Sequence, residues 1–102
     1  MSKYGAIKTV VDGHIFDSKA EARRYQELRL MASAGEISDI ELQPKYPLIV
    51  NGKNCGFYKA DFRYKIAGVL VVEDVKGVKT PVYQLKKKLV KALYDIDIVE
   101  TC

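Results

Sequence analysis

The sequence is poor in the residues that build redox, disulfide or membrane sites. Its 102 residues include only two cysteines and one histidine. Cys55 and Cys102 do not have the spacing of a metal-ligand pair, so a reduced, cytoplasmic protein is the simpler reading. His14 falls at a turn signal, where packing or exposure is a simpler role than that of a base. No run of 18 apolar residues occurs, which excludes a membrane-spanning helix. Met1-Ser2-Lys3-Tyr4 lacks the apolar core of a signal peptide, so export is not expected. Repeats, low-complexity tracts and linkers are missing too, and 102 residues make one domain, spanning 1–102. A chain this short has no room for a large enclosed active-site cavity, so any chemistry belongs in an open groove or at a subunit boundary.

Acid is also lacking, locally, where base is abundant. The net charge is +4, and it is unevenly spread: +1 over residues 1–58 and +3 over residues 59–102. From Lys76 to Tyr94 six lysines (Lys76, Lys79, Lys86, Lys87, Lys88, Lys91) meet no acid in the sequence. Such a field suits a polyanion.

The pattern of elements predicts an α/β protein. Lys8 to Phe16 reads as a hairpin turning at Asp12-Gly13. Ser18 and Glu21 have capping-box spacing, and a helix follows to about Ala34 before Gly35 stops it. Ala22, Tyr25, Leu28 and Ala32 form its apolar stripe, and Glu21, one turn before Tyr25, points with it. Ile37 to Gln43 suggests a strand that Pro44 and Pro47 make an edge or end. Tyr46 to Val50 leads into Asn51-Gly52, a turn signal. The chain then alternates from about Gly56 to Ile66 as one strand, apolar at Tyr58, Ala60, Phe62, Tyr64 and Ile66, with Asp61 on its polar face. Val69-Leu70-Val71-Val72 is apolar on both faces and is expected to be a covered central strand running into Glu73-Asp74-Val75-Lys76. Pro81 opens a second helix with the apolar stripe Val82, Leu85, Leu89, Ala92 and Leu93. Ile96, Ile98 and Val99 suggest a last strand, parallel to the central one if the helix is a crossover. The sum is a mixed β-sheet of about four to five strands flanked by helices.

The chemistry concentrates where the most apolar strand ends in charge. Residues two apart on a strand share a face, so Asp74 and Lys76 project together and Glu73 projects oppositely. Burying such ions costs several kcal/mol each unless they are paired or metal-bound. Asp61 is the only acid between Glu41 and Glu73. Two carboxylates on adjacent strands can hold a hard cation such as Mg²⁺, which typically takes one or two carboxylates plus water and phosphate oxygens. Lys76 is then placed to orient an attacking water or to neutralise charge on phosphorus. The bland alternative for Asp74-x-Lys76 is a strand-end ion pair.

These residues resemble the PD-(D/E)XK nuclease superfamily, which arranges a helix Glu, a strand Asp and an acid-x-Lys on the next strand. The match is Glu21, Asp61 and Asp74-Val75-Lys76, in that order. The wider text, Val11-Asp12-Gly13, Phe16-Asp17-Ser18-Lys19, Glu21-Ala22-Arg23-Arg24-Tyr25, Leu42-Gln43-Pro44, Ala60-Asp61-Phe62 and Val72 through Gly77, is similar to a phage-encoded branch of small endonucleases. The resemblance spans nearly the whole chain. It departs at position 60, where Ala60 stands in place of the proline of the family's name. It implies a restriction-endonuclease-like core, with Asp61 and Asp74 as metal ligands, Glu21 as a third carboxylate and Lys76 as catalytic lysine. It also implies a polar or basic residue on the following helix, for which Lys86 is the candidate, followed by Thr80 and Tyr83. A capping-box Glu is structurally sufficient by itself, so Glu21 has two readings, cap or ligand.

The expectation is therefore a Mg²⁺- or Mn²⁺-dependent endodeoxyribonuclease, which the resemblance directs to branched or Holliday junction DNA in phage recombination or replication. Lys79, Lys86, Lys87 and Lys91 are the DNA-binding candidates. Cutting two strands needs two active centres, so a homodimer is expected. The location is the cytoplasm, that of a bacterial host if the chain is phage-encoded, with no membrane partner. Two rivals stand beside it. One is a non-catalytic nucleic-acid-binding accessory protein on a nuclease-like scaffold. The other is a structural domain with incidental ion pairs, which requires Glu21 to lie far from Asp61 and Asp74.

Overall fold

A computed structural model describes residues 7–101, and Cys102 and the Met1–Tyr4 segment lie outside them. The chain begins with a hairpin, β1 (Thr9–Val11) and β2 (His14–Phe16), followed by helix α1 (Lys19–Ser33). Strands β3 (Ser38–Leu42), β4 (Lys45–Val50), β5 (Lys53–Lys59), β6 (Phe62–Ile66) and β7 (Val69–Val75) come next. Helix α2 (Pro81–Tyr94) and strand β8 (Val99–Thr101) complete it. The protein is α/β, with a four-stranded mixed sheet in the order β3-β6-β7-β8 and two small two-stranded sheets, β1-β2 and β4-β5. The contacts of β6 with β3 and with β7 are antiparallel, and β7 pairs with β8 in parallel across the α2 crossover.

Local signals explain most of these elements. Asp12-Gly13 and Asn51-Gly52 turn with both residues at positive φ, the geometry of a tight two-residue hairpin turn. The Ser18 hydroxyl accepts the Glu21 N–H at the start of α1. At its end Gly35 has φ +79° and donates its N–H to the Ala32 carbonyl. Thr80 caps α2 by accepting the Tyr83 N–H at 3.1 Å, with Pro81 in the first turn.

The sheet divides two apolar layers. Phe62 and Tyr64 join Phe16, Ala22, Tyr25, Leu28 and Ile37 beneath α1. Val72 faces the other way, with Tyr46, Leu48, Tyr58, Ala60, Tyr83, Val90 and Ile98. Strand alternation is therefore what sends residue 73 to the α1 layer and residue 74 to the α2 layer.

Three expectations are corrected. The single strand expected from Gly56 to Ile66 is broken at Ala60-Asp61. There the chain stops pairing with β4 and joins the central sheet: Ala60 N–H donates to Pro44 O, and Asp61 N–H to Glu73 O. The covered strand begins later than expected, because Val69 is 66% and Leu70 47% exposed. They lie at the β6–β7 hairpin end, where Ile66 is exposed too, and full burial starts at Val72. The apolar stripe of α2 faces the core only at Leu89, which is partly buried against it. Val82, Leu85 and Leu93 are exposed, and Tyr83 and Val90 are buried instead. Rotating the helix this way satisfies the tyrosine hydroxyl, which bonds Glu100.

Candidate active site

The break between β5 and β6 builds the site. Asp61 sits in it as a half-buried residue fixed on three sides. Its N–H donates to Glu73 O at 3.2 Å, its carbonyl accepts the Gln43 N–H at 3.0 Å, and its Oδ2 accepts the Val75 N–H at 2.7 Å. The carboxylate thus serves β7 as a ladder carbonyl would. Ala60, fully buried beside it, donates its N–H to Pro44 O at 3.0 Å. A proline at position 60 has no N–H to donate, which gives the Ala60 departure a physical basis.

Asp74 comes from β7 and is 2% exposed. Its Oδ2 accepts the Tyr58 hydroxyl and lies 3.6 Å from Lys76 Nζ. Lys76 follows two residues later on the same face, with its own N–H held by Thr101 O at 2.7 Å. Glu21 arrives from the first turn of α1 and is 6% exposed. Its Oε2 accepts the Asp17 N–H at 2.9 Å, so the glutamate does stabilise the helix start, through residue 17 rather than Ser18. It also reaches the Asp61 carboxyl, so capping does not keep it away from the strand acids.

Asp61 is the centre of the three acids. Burial, then hydrogen-bonding contact with Glu21 and with Asp74, then their like charge, push its carboxyl far above the ordinary carboxylate range. Such a cluster favours either a shared proton or a cation. As the side chains stand, no group of three or more His, Cys, Asp or Glu among the described residues is closed around a metal position. Each acid has one oxygen engaged: Glu21 Oε2 by Asp17, Asp61 Oδ2 by Val75 and Asp74 Oδ2 by Tyr58. This hard-oxygen donor set suits Mg²⁺ or Mn²⁺.

Glu73 is excluded from the cluster by strand alternation, as expected. It is fully buried on the α1 side, accepting from Arg24 Nε and NH2, the Tyr64 hydroxyl at 2.7 Å and Thr101 Oγ1 at 3.2 Å. Burial, then its bond to Glu73, pushes the Tyr64 hydroxyl up to about 12.

Two tyrosines do more than their place in an apolar pattern indicates. Tyr58 is a core residue, but its hydroxyl ends on Asp74, and burial followed by that bond pushes it upward. Of the three candidates on α2, only Tyr83 meets the cluster: the Lys76 ammonium lies 4.1 Å from its ring centroid. Lys86 instead stands 5.7 Å from the exposed Phe57 ring, and Thr80 is a helix cap. Glu100 was not singled out at all. It pairs across the parallel strands with Asp74, and its only sequence signal was alternation within a very short strand.

The lysine run is less bare than its sequence. Lys79 and Lys87 each lie 3.1 Å from Glu100, and Lys91 lies 2.9 Å from Asp95 and 3.0 Å from Asp97. The fold brings in acids that lie outside residues 76–94. The lysines line a groove of about 560 Å³ between α2 and the β8 end of the chain. His14 is exposed and packs edgewise on Phe16 and Tyr25, and Cys55 is exposed and free.

Fold and site together define a small α/β protein with a three-carboxylate cluster and a lysine at the end of a mixed sheet. The chain belongs to the family described as "Protein of unknown function (DUF1064)", which it matches over residues 1–100. No curated protein matches it. No helix among the described residues is long and apolar enough to cross a membrane.

Proposed function

We propose that this chain is a Mg²⁺- or Mn²⁺-dependent endodeoxyribonuclease of the PD-(D/E)XK type that cuts branched or junction DNA. The observation that carries the reading is the convergence of Glu21 and Asp74 on Asp61, with Lys76 beside Asp74. An accessory protein that only binds phosphate gains nothing from three acids aimed at one point, and incidental ion pairs would not bring a helix glutamate to two strand aspartates.

In this reading Asp61 and Asp74 hold the metal and Glu21 completes the cluster. When bound, the ion supplies positive charge to the scissile phosphate and its leaving oxygen. The remaining work falls to the chain. Lys76 orients the nucleophilic water toward phosphorus and offsets negative charge as the water oxygen bonds to phosphorus and the bond to the 3′ oxygen breaks. Tyr58 holds Asp74 in one orientation through its hydroxyl. The backbone N–H of Val75 does the same for Asp61.

The working unit is a homodimer, in the cytoplasm of a bacterial host where the gene is carried by a phage. The exposed apolar stripe of Val82, Leu85 and Leu93 offers surface for a second copy. The basic face of α2 approaches the DNA backbone, with Lys86 beside Phe57 and Lys79, Lys87 and Lys91 held by acids.

The test incubates the purified chain with labelled four-way junction, linear duplex and single strand, in Mg²⁺, in Mn²⁺ and in chelator. Metal-dependent cutting of the junction, lost in Asp74→Ala and Lys76→Ala, is the expected result. Cutting that persists in chelator or in either variant overturns the mechanism. Equal cutting of all three substrates removes the junction preference alone, and binding without cutting under every condition favours the accessory reading.

A further inference from the structure

Lys76 is held from two sides, and only one of them belongs to the carboxylate cluster. Its ammonium lies 3.6 Å from Asp74 Oδ2 and, on another side, over the face of Tyr83, 4.1 Å from the ring centroid. A lysine has four rotatable bonds and about 2 kcal/mol of rotamer entropy, so a contact with a single carboxylate oxygen at 3.6 Å leaves its position loosely defined. An aromatic face attracts the cation through its quadrupole and removes one side of its conformational space.

The ring itself is braced. Tyr83 is 6% exposed, and its hydroxyl donates to Glu100 Oε2 at 2.6 Å. Glu100 stands opposite Asp74 on the neighbouring parallel strand and is gripped by Lys79 and Lys87. Tyr58, which bonds Asp74, lies against the Tyr83 ring with centroids 6.3 Å apart. Packing alone requires only that the ring be buried and its hydroxyl satisfied. It does not require a cation over the ring face beside the acids.

We propose that Tyr83, braced by Glu100, is a positioning residue that fixes the Lys76 ammonium at the carboxylate cluster. Its catalytic consequence rests on the nuclease reading above, but the positioning is a property of the chain and is open to measurement without turnover.

The first measurement is a carbon–proton NMR spectrum of lysine-labelled protein, with Lys76 assigned from Lys76→Arg. The Lys76 ε-methylene protons are expected upfield of those of the other lysines through the ring current, in the wild type and in Tyr83→Phe, and not in Tyr83→Leu. An unshifted Lys76 in the wild type overturns the proposal, and this result stands even if Tyr83→Leu fails to fold.

The second measurement is kinetic. Tyr83→Leu is expected to lower kcat by about 10- to 100-fold with KM little changed, the size of effect that loss of orientation produces. Tyr83→Phe should recover most of that loss. A Tyr83→Phe variant as slow as Tyr83→Leu makes Tyr83 a structural residue only and overturns the proposal, because the ring over the Lys76 ammonium is kept in Phe. If the wild type shows the ring-current shift and yet cuts no DNA, the nuclease reading has failed and the positioning has not.

Discussion

Arg24 grips Glu73 with two N–H groups, Nε at 2.7 Å from one carboxylate oxygen and NH2 at 3.0 Å from the other. The pair ties α1 to β7, one turn after Glu21 on the helix and one residue before Asp74 on the strand. It therefore sets how the helix carboxylate meets the strand carboxylates. Glu73 is fully buried while Arg24 is partly exposed, so losing the arginine leaves an uncompensated buried charge.

Arg24→Met should destabilise the protein by about 3 kcal/mol, the scale for breaking a buried ion pair. A urea titration checks this, and a midpoint unchanged from wild type would show that Tyr64 and Thr101 suffice to hold Glu73.

Asp61 makes the opposite prediction. Its carboxyl is pushed upward in the fold by burial and by the neighbouring acids, so keeping it ionised at neutral pH costs folding energy in the metal-free protein. With a folded pKa above the unfolded one, the protonated group favours the fold. That stability is present below the unfolded value, about pH 4, and declines as pH rises toward the folded value. Asp61→Asn keeps an oxygen for the Val75 N–H and removes the charge. It should stabilise the metal-free protein by about 1 kcal/mol, or roughly 4–8 °C in melting temperature for a small domain, while abolishing cleavage. A lower melting temperature at pH 7 in chelator would contradict the charge cluster.

Metal should reverse that ranking. Mg²⁺ or Mn²⁺ is expected to raise the wild-type melting temperature in proportion to the logarithm of its concentration above Kd. Asp61→Asn and Asp74→Asn should lose most of this response. Equal metal-induced shifts in wild type and both variants would place the ion elsewhere.

Glu100 contributes to the acid limb of stability. The Tyr83 hydroxyl, then Lys79 and Lys87, hold its carboxyl down to about 2. The folded value lies below the unfolded one, so its contribution is complete above about pH 4 and is lost as pH falls toward 2. Denaturation midpoints at pH 5 and pH 3 should differ less in Glu100→Gln than in wild type, and an unchanged difference would remove Glu100 from this role.

Salt dependence separates the lysines. Replacing a lysine that contacts phosphate lowers the slope of log K against log salt by about 0.9. Lys86→Ala is expected to approach this value. Lys91→Ala should change the slope less, because Asp95 and Asp97 already engage that ammonium. Equal slopes for the two variants would show that the acids release Lys91 when DNA binds.

Much of the site was legible because its pattern is local. Asp74 and Lys76 share a face by strand alternation alone, and Glu73 falls opposite for the same reason. Ser18 and Glu21 mark a helix start at a fixed spacing, and Asp12-Gly13 marks a turn. Asp61 was found as a lone acid on an alternating segment, although the segment proved to be two strands. The break at Ala60 was hidden because alternation continues through it, and only the change of hydrogen-bonding partner reveals it.

The α2 stripe shows the same limit from the other side. Val82, Leu85, Leu89, Ala92 and Leu93 make the more apolar face of the helix, and periodicity selects that face. The fold keeps only Leu89 of that face against the core and fully buries Tyr83 and Val90, with the Tyr83 hydroxyl satisfied on Glu100 and its ring filling the layer beside Tyr58.

The sequence by itself determined the α/β class, the order of the elements apart from the β5–β6 break, the turns and the shared face of Asp74 and Lys76, since each depends on backbone geometry within a few residues. The tertiary structure alone decided that Glu21, Asp61 and Asp74 converge, that Tyr83 lies under Lys76 and that Glu100 engages the lysine-rich helix. Those contacts join residues 7 to 40 positions apart on different elements, and their geometry follows from which strands pair and which helix face satisfies its polar groups. The scarcity of acid from residue 76 to residue 94 was real in the chain, but the fold supplies the missing carboxylates from Glu100, Asp95 and Asp97.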